Sequence, residues 1–345
     1  LRLKVSQIVG KTVKLKKRGK EFIGLSPFSN EKTPSFTVND EKGFYHCFSS
    51  SEHGNIFDFL MKTQNLNFGE AVRMLASEAG MPKYTFSKLD EERDKKWKIY
   101  SKILNEYKIY YHNELKNNQG PNLKEYISKR GIDYKQMNNF CIGFVPKDPT
   151  FYNNALKNYS EKDLLDSGLF YFDEKNKKYV ERFRDRLIFP INALNGSTIG
   201  FGGRIISNKN IFAKYINSPE TIFFKKGNNL FNLDVARKHS NKSNEVYLVE
   251  GYMDVLSLTK FDIFNVVANL GTALTEAQIQ MLWRFYNNII ICFDGDEGGK
   301  KAAIRAADKL IEIIKPDFNI SFLFLPDNHD PDSFINSNGK EEFLL

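Results

Sequence analysis

The chain has 345 residues, a formal net charge of +8 and a pI near 9.0, with 41% hydrophobic and 14% aromatic residues. That length predicts two or three domains, each large enough to bury a core, and the positive excess fits a polyanionic partner. No apolar run approaches the ~18 residues of a membrane span and no signal-peptide pattern is present, so a soluble protein without a membrane partner is expected. Cys47, Cys141 and Cys292 are too scattered for a disulfide framework, which points to a reducing cytoplasm. A basic start of eight Lys or Arg and no acid over residues 1–20 leads into short β-type segments at Phe22–Ile23, Ser35–Val38 and Gly43–Phe48. Two helices are expected next, Asn55–Lys62 and Phe68–Ala79, closed by Gly80 and Pro82. Phe22, Phe28, Phe36, Phe57 and Phe59 are expected core residues of this first unit, residues 1–82. A polar linker over residues 83–92 follows, then a helix with apolar residues at Trp97, Tyr100, Leu104, Tyr107 and Tyr111.

Mixed α+β structure is expected over residues 93–240. In Arg182-Phe-Arg184-Asp-Arg186 the arginines occupy every second position, so on a strand they would share one face. Asn195-Gly196 signals a hairpin, and the strand after it ends in Gly200-Phe-Gly-Gly-Arg204. Glycines there permit close approach of a ligand to the backbone, and the planar fork of Arg204 suits phosphate. Lys214, Lys225 and Lys226 extend the basic set. Any one of these lysines can belong to a solvated face, but together they read as a groove for a nucleic-acid backbone and a nucleoside triphosphate.

From residue 241 the pattern alternates. The segments EVYLVEG, NVVANLG, NIIICFDGD and NISFLFLPD read as strands, and YMDVLSLTKF, TEAQIQMLWRFY and GGKKAAIRAADKLIEIIK as helices between them. Such alternation implies βαβ units and a parallel sheet. Three strand ends carry carboxylates: Glu250; Asp294 and Asp296; and Asp330 with Asp332. In an open α/β sheet ligands gather beyond the carboxyl ends of the strands. One Asp after a strand can simply cap the next helix. A Glu and an Asp-x-Asp pair on separate strands of one unit point instead to a Mg²⁺ or Mn²⁺ centre, because clustered carboxylates repel without a cation.

Glu, then Asp-x-Asp, then Asp-Pro-Asp in this order resembles the Toprim domain of DnaG-type primases, topoisomerases and some nucleases. The Asp-x-Asp of haloacid-dehalogenase-type phosphatases follows the first strand, whereas here a Glu-Gly strand end precedes it by more than forty residues. YVERFRDRLIFPI, NGSTIGFGGR, FAKYINSPET, IFFKKGNNLFNL, Tyr126-Ile-Ser-Lys-Arg130-Gly-Ile and Ile142-Gly-Phe-Val-Pro146 resemble the RNA polymerase core of the bacterial DnaG primase family, and the likeness covers nearly the whole chain. The fold implied is α+β and multidomain: a small zinc-ribbon-like unit (1–82), the linker (83–92), a mixed α+β basic subdomain (93–240) and a Toprim-type parallel-sheet subdomain (241–345). The implied activity is RNA primer synthesis on single-stranded DNA from ribonucleoside triphosphates, with Mg²⁺ or Mn²⁺ in the two-metal manner. Glu250, Asp294 and Asp296 would form the centre, completed by Asp254, Asp330 and Asp332, with Glu250 alternatively a general acid/base. Arg130, Arg182, Arg186, Arg204, Lys214 and Lys226 would hold template and triphosphate.

Members of the family continue into a helical domain that binds the replicative helicase. Gly339-Lys-Glu-Glu-Phe-Leu-Leu345 reads as a helix cut short, so a monomeric fragment without that domain is expected. A Toprim nuclease or topoisomerase fragment, or a non-catalytic nucleic-acid-binding module, are the alternatives. The resemblance breaks in the first unit. The family places Cys-x-x-His and Cys-x-x-Cys where this chain has Ser26, Ser29, Cys47 and Ser50. Structural Zn²⁺ takes thiolate or imidazole, so the unit is expected to fold without zinc around Phe22, Phe28, Phe36 and Phe48. His46 adjoins Cys47 and on a strand would face the opposite side, and His53 is the other nearby donor.

Overall fold

The computed structural model describes residues 3–64, 66, 68–81, 88–117, 120–147, 151–207, 212–240 and 242–344. It divides into two compact units, residues 1–94 and 95–345. In the first, helix α1 (Val5–Val9) precedes an antiparallel sheet of β1 (Lys16–Arg18), β2 (Glu21–Gly24), β3 (Phe36–Asn39), β4 (Phe44–Cys47) and β5 (His53–Gly54), in that spatial order. Helices α2 (Ile56–Gln64) and α3 (Phe68–Glu78) follow. Strand alternation places Phe36 opposite Cys47 and Val38 opposite Tyr45, and all four are fully buried. Phe36 and Tyr45 stack at 5.2 Å, Phe59 closes on both, and Phe22, Phe28 and Phe57 pack around them. Phe48 is not part of this core. It lies just past the end of β4, is 68% exposed and rests on the His46 ring, so Tyr45 takes the central place expected for it. Of the expected linker, residues 83–87 lie outside the described residues, and residues 88–92 are already helical.

Helix α4 (Lys88–Asn117) carries the boundary between the units. Its apolar stripe buries Tyr100, Ile103, Leu104, Tyr107, Tyr111 and Leu115. After it come α5 (Pro121–Lys129), α6 (Tyr134–Asn139), β6 (Gly143–Val145), α7 (Phe151–Ala155), α8 (Glu161–Asp166), β7 (Phe170–Asp173) and β8 (Lys178–Glu181). Next are β9 (Arg186–Asn192), β10 (Thr198–Ile205), β11 (Tyr215–Asn217) and α9 (Leu233–Ala236). Strands β11-β10-β9-β6 form one antiparallel sheet, with the expected Asn195-Gly196 hairpin between β9 and β10 and Gly196 at φ +84°. β7 and β8 form a separate two-stranded ribbon.

The arginine triplet does not share a strand face. Residues 182–185 form a turn between β8 and β9, with Asp185 left-handed at φ +57°. Arg182 is half-buried, Arg184 exposed and Arg186 buried as the first residue of β9.

The last segment realises the predicted alternation as β12 (Glu245–Val249), α10 (Tyr252–Lys260), β13 (Val266–Ala268), α11 (Glu276–Leu282), β14 (Asn288–Phe293), α12 (Glu297–Ile311), β15 (Asn319–Phe324) and α13 (Pro331–Leu344). The four strands are all parallel, in the order β13-β12-β14-β15. Helix α13 bends at Gly339, where φ is +86°. Every residue of α10 from Tyr252 to Thr259 is buried. One apolar cluster joins α10 and the parallel sheet to Leu187, Phe189, Ile191 and Ile199 of the antiparallel sheet.

Candidate functional site

Strands β12 and β14 are neighbours, yet the chain leaves β12 for β13 on one side before crossing back to β14. The sheet therefore has its topological switch point between β12 and β14, where the crevice of an open α/β fold lies. Glu250 follows the first of these strands and Asp294 the second, and the Asp294 N–H lies 3.4 Å from Glu250 Oε1 as its donor. The Asp-Pro-Asp turn closes on the Asp-x-Asp turn through the Gly295 N–H, which donates to the His329 carbonyl at 2.8 Å. A Cβ at 295 would sit 2.2 Å from the Pro326 carbonyl oxygen, so only glycine permits this approach. The residue between the two aspartates is thus as much a part of the site as the aspartates.

Several carboxylates also organise backbone. Asp296 caps α12 by accepting from the Gly299 N–H at 2.7 Å, and Asp330 accepts from the Ser333 N–H at 2.7 Å. Asp254 accepts from the Gly251 N–H at 2.9 Å and the Asp332 N–H at 3.3 Å, which ties the segments following β12 and β15 together. Asp332 receives the Ser257 hydroxyl and Asn336 Nδ2, and Arg130 stands 3.7 Å from its other oxygen. Burial and the neighbouring negative charges of Glu250, Asp330 and Asp296 push the Asp294 carboxyl up to about 7, against the opposing pull of Lys214. Burial, then Asp294 and Asp330, hold Asp254 well above the usual carboxylate range. Burial raises Glu250 as well, with the Asp294 N–H opposing and Asp296 adding to it.

Among the described residues, no three His, Cys, Asp or Glu side chains converge tightly enough to enclose an ion. The donor set nevertheless fits a hard divalent cation. It is all oxygen, neighbouring negative charge adds to burial in raising Asp294, Glu250 and Asp254, and Asp294 Oδ1 is buried with no hydrogen-bond partner among the described residues.

The six expected basic residues fall in different environments. Lys214 acts directly on Asp294. Arg130 is one-third exposed beside Asp332 and lies 6.0 Å from the Tyr126 ring. Arg204 is nearly buried between the rings of Tyr215 at 4.8 Å and Tyr126 at 5.6 Å. Arg182 donates to the Gly168 carbonyl and lies against Tyr171. The Arg186 guanidinium donates to the carbonyls of Gly203, Lys214 and Ala213, so it ties the antiparallel sheet to the segment carrying Lys214. Lys226 accompanies the Lys225–Glu220 pair, with its own N–H donating to Glu220 Oε1. A cavity of about 290 Å³ opens beside Glu250, bordered by Gly271, Thr272, Arg305 and Lys309.

In the first unit, Ser26, Ser29 and Cys47 are drawn together. Cys47 Sγ donates to Ser26 Oγ at 3.1 Å and lies 3.3 Å from Ser49 Oγ, which in turn lies 2.7 Å from Ser29 Oγ. Ser50 also hydrogen-bonds the thiol. The four ribbon positions converge, with one sulfur and three hydroxyls.

Glu, Asp-x-Asp and Asp-Pro-Asp at the carboxyl ends of a four-stranded parallel sheet define a Toprim-type domain. Residues 247–335 match the Toprim-like family, residues 110–237 the DNA primase catalytic core N-terminal domain, and residues 1–91 the CHC2 zinc finger. The DNA primase of Escherichia coli (strain K12) is 39% identical over 355 residues, covering 99% of this chain and 59% of that protein. The Aquifex aeolicus primase structure (zinc binding and RNA polymerase domains) is 31% identical with a TM-score of 0.65, covering 99% of this chain and 82% of that one. A DnaG primase catalytic domain bound to ssDNA is 34% identical with a TM-score of 0.66, covering 73% and 78%. The chain belongs to the bacterial DnaG-type DNA primase family. It spans about 59% of the length of the curated relatives it matches, and these relatives do not favour a nuclease or topoisomerase.

Proposed function

We propose that this chain carries the priming activity of a DnaG-type primase, joining ribonucleoside triphosphates into short RNA on a single-stranded DNA template. The observation that carries the reading is the pairing of Glu250 with Asp294 at the switch point of the parallel sheet, where burial raises both carboxyls, with the charge of Asp296 adding at Glu250 and that of Glu250 adding at Asp294. Glu250, Asp294 and Asp296 would hold Mg²⁺ or Mn²⁺, with Asp330 and Asp332 beside them and Asp254 bracing the loops from behind. When bound, a divalent cation supplies the positive charge that favours the attacking 3′-oxygen and the departing pyrophosphate. Lys214, near Asp294, and the cavity edge at Arg305 and Lys309 beside Glu250 are suited to the triphosphate. Arg130 and Arg204, each against Tyr126, are suited to the template backbone. Single-stranded DNA in the structure of a family relative supports the choice of template.

The test is incubation of the protein with circular single-stranded phage DNA, Mg²⁺ and labelled ribonucleotides. Short RNA is expected from the unmodified protein and none from Asp294→Asn, whose neutral amide cannot replace an anionic ligand. Near-normal synthesis by a folded Asp294→Asn protein removes Asp294 from the mechanism.

A further inference from the structure

We propose that the N-terminal ribbon of this chain is a metal-free variant, in which a hydroxyl network anchored on the Glu31 carboxylate replaces the zinc of its family. The family's ribbon is a zinc finger, and by sequence resemblance its four ligand positions fall on Ser26, Ser29, Cys47 and Ser50. A structural zinc needs four nitrogen or sulfur ligands, and thiolates supply the negative charge that offsets the ion. Here one thiol remains, and serine hydroxyls do not ionise near neutral pH.

The lone pairs that would face an ion are already engaged. Ser26 Oγ accepts from the N–H groups of Phe28 and Ser29 at 3.0 and 3.1 Å and from the Cys47 thiol. Burial alone would raise that thiol, but its hydrogen bonding with the Ser26, Ser49 and Ser50 hydroxyls draws it down to about 7.

Glu31 is the hub on the other side. Its Oε1 accepts from the Ser26 N–H at 2.7 Å and the Ser35 N–H at 3.1 Å, and its Oε2 accepts from the Ser35 hydroxyl at 2.6 Å. One side chain therefore closes the connection between β2 and β3 at both ends, which is the mechanical task of a metal in a ribbon. Ser35 Oγ lies 2.9 Å from Ser49 Oγ, and Ser49 reaches both Ser29 and Cys47, so the two knuckles are joined through hydroxyls. Beneath them sits the aromatic stack of Phe28, Phe36, Tyr45 and Phe59.

The nearby imidazoles do not rebuild a metal site. Cys47 points into the core with Tyr45, whereas His46 alternates to the other side of β4. There its ring stacks with His53 at 5.9 Å and meets the Phe48 ring tilted at 4.4 Å.

Elemental analysis of the full chain purified in zinc-supplemented medium tests this directly. Much less than one zinc per chain is expected, with an unchanged melting temperature in chelator. The combined Ser26→Cys, Ser29→His, Ser50→Cys variant should gain one zinc per chain and become chelator-sensitive, which shows that the backbone still holds the ribbon geometry. Glu31→Gln should speed amide hydrogen exchange across residues 24–36 while leaving the zinc content unchanged. One zinc per chain in the unmodified protein, lost with a fall in melting temperature on chelation, overturns the proposal. So does a Glu31→Gln protein whose exchange over that segment matches the original.

Discussion

The Tyr252 hydroxyl donates to Asn217 Oδ1 at 2.5 Å, and Asn217 Nδ2 donates onward to the Leu270 carbonyl at 2.6 Å. Asn217 ends β11, Tyr252 opens α10 two residues after Glu250, and Leu270 follows β13. One hydrogen-bonded chain thus fastens the antiparallel sheet to two strand ends of the parallel sheet. The Tyr252 ring stacks on Phe189 at 5.0 Å and lies over Gly202, where an added Cβ would come within 2.3 Å of it. Gly202→Ala should therefore push Tyr252 from its seat and lower unfolding stability by ~1–3 kcal/mol, the usual cost of overpacking. Tyr252→Phe removes the donor to Asn217 and should cost a similar ~1–3 kcal/mol. Urea unfolding measures both, and a Gly202→Ala loss below ~0.5 kcal/mol, the usual surface effect, would mean the two sheets are not seated by this contact.

The parallel unit was legible because its strands are apolar runs and each helix between them carries a clear amphipathic or apolar pattern, so Glu250, Asp294, Asp296, Asp330 and Asp332 could be placed at strand ends from spacing alone. The arginine triplet misled because alternation also arises in a turn, and only the left-handed Asp185 distinguishes the two. Phe48 reads as a core aromatic next to Cys47, but β4 ends at Cys47 and releases it to the surface. Tyr252, Asn217 and Gly202 carried no local signal, since their roles arise from contacts between residues 35 to 53 positions apart. Gly295 could have been read: a small residue between two aspartates at a strand end marks a close backbone approach.

Cation binding at the strand ends should release protons in a pH-dependent way. Asp294, raised to about 7, holds its proton through much of the acid range, where the ordinary Asp near 3.8 is ionised. A raised carboxyl of this kind makes the metal-free protein less stable as pH climbs from 3.8 toward 7. Mg²⁺ should consequently raise the melting temperature more at pH 8 than at pH 6. Calorimetric titration in two buffers of different ionisation enthalpy should show protons released at pH 6 and few at pH 9. Equal stabilisation at both pH values would detach Asp294 from the cation.

Arg186 and Lys214 are neighbours in the basic set with different consequences on removal. Arg186→Ala removes the guanidinium donor from the carbonyls of Gly203, Ala213 and Lys214, of which Lys214 keeps the Ile205 N–H, so it should cost on the order of 2–3 kcal/mol of stability. Lys214→Ala should leave stability nearly unchanged, weaken single-stranded DNA or triphosphate binding, and flatten the dependence of binding on salt. Fluorescence anisotropy across a salt series, beside urea unfolding, separates the two. An unchanged salt slope for folded Lys214→Ala would return Lys214 to the solvated face.

Glu181 ends β8 almost completely buried, and among the described residues neither of its carboxyl oxygens has a well-formed hydrogen bond. Burial pushes the carboxyl up to about 8, with the Phe151 N–H and the Arg184 charge opposing weakly. Tyr107, Tyr110 and Tyr111 feel its charge, and each phenol is raised by burial and then by Glu181 or another nearby carboxylate. Nothing here recommends an ionised carboxylate, so folding is favoured below the unfolded value near 4.5, and stability falls as pH rises from there toward 8. The full span corresponds to on the order of 3–5 kcal/mol, an upper limit because local opening to water relieves part of it. Glu181→Gln cannot ionise, so it should match the unmodified protein near pH 5 and exceed it in urea resistance at pH 8.5. A stability difference between the two proteins that stays constant from pH 5 to pH 8.5 would show that Glu181 ionises in the folded chain near its unfolded value, its charge met by a partner or by water.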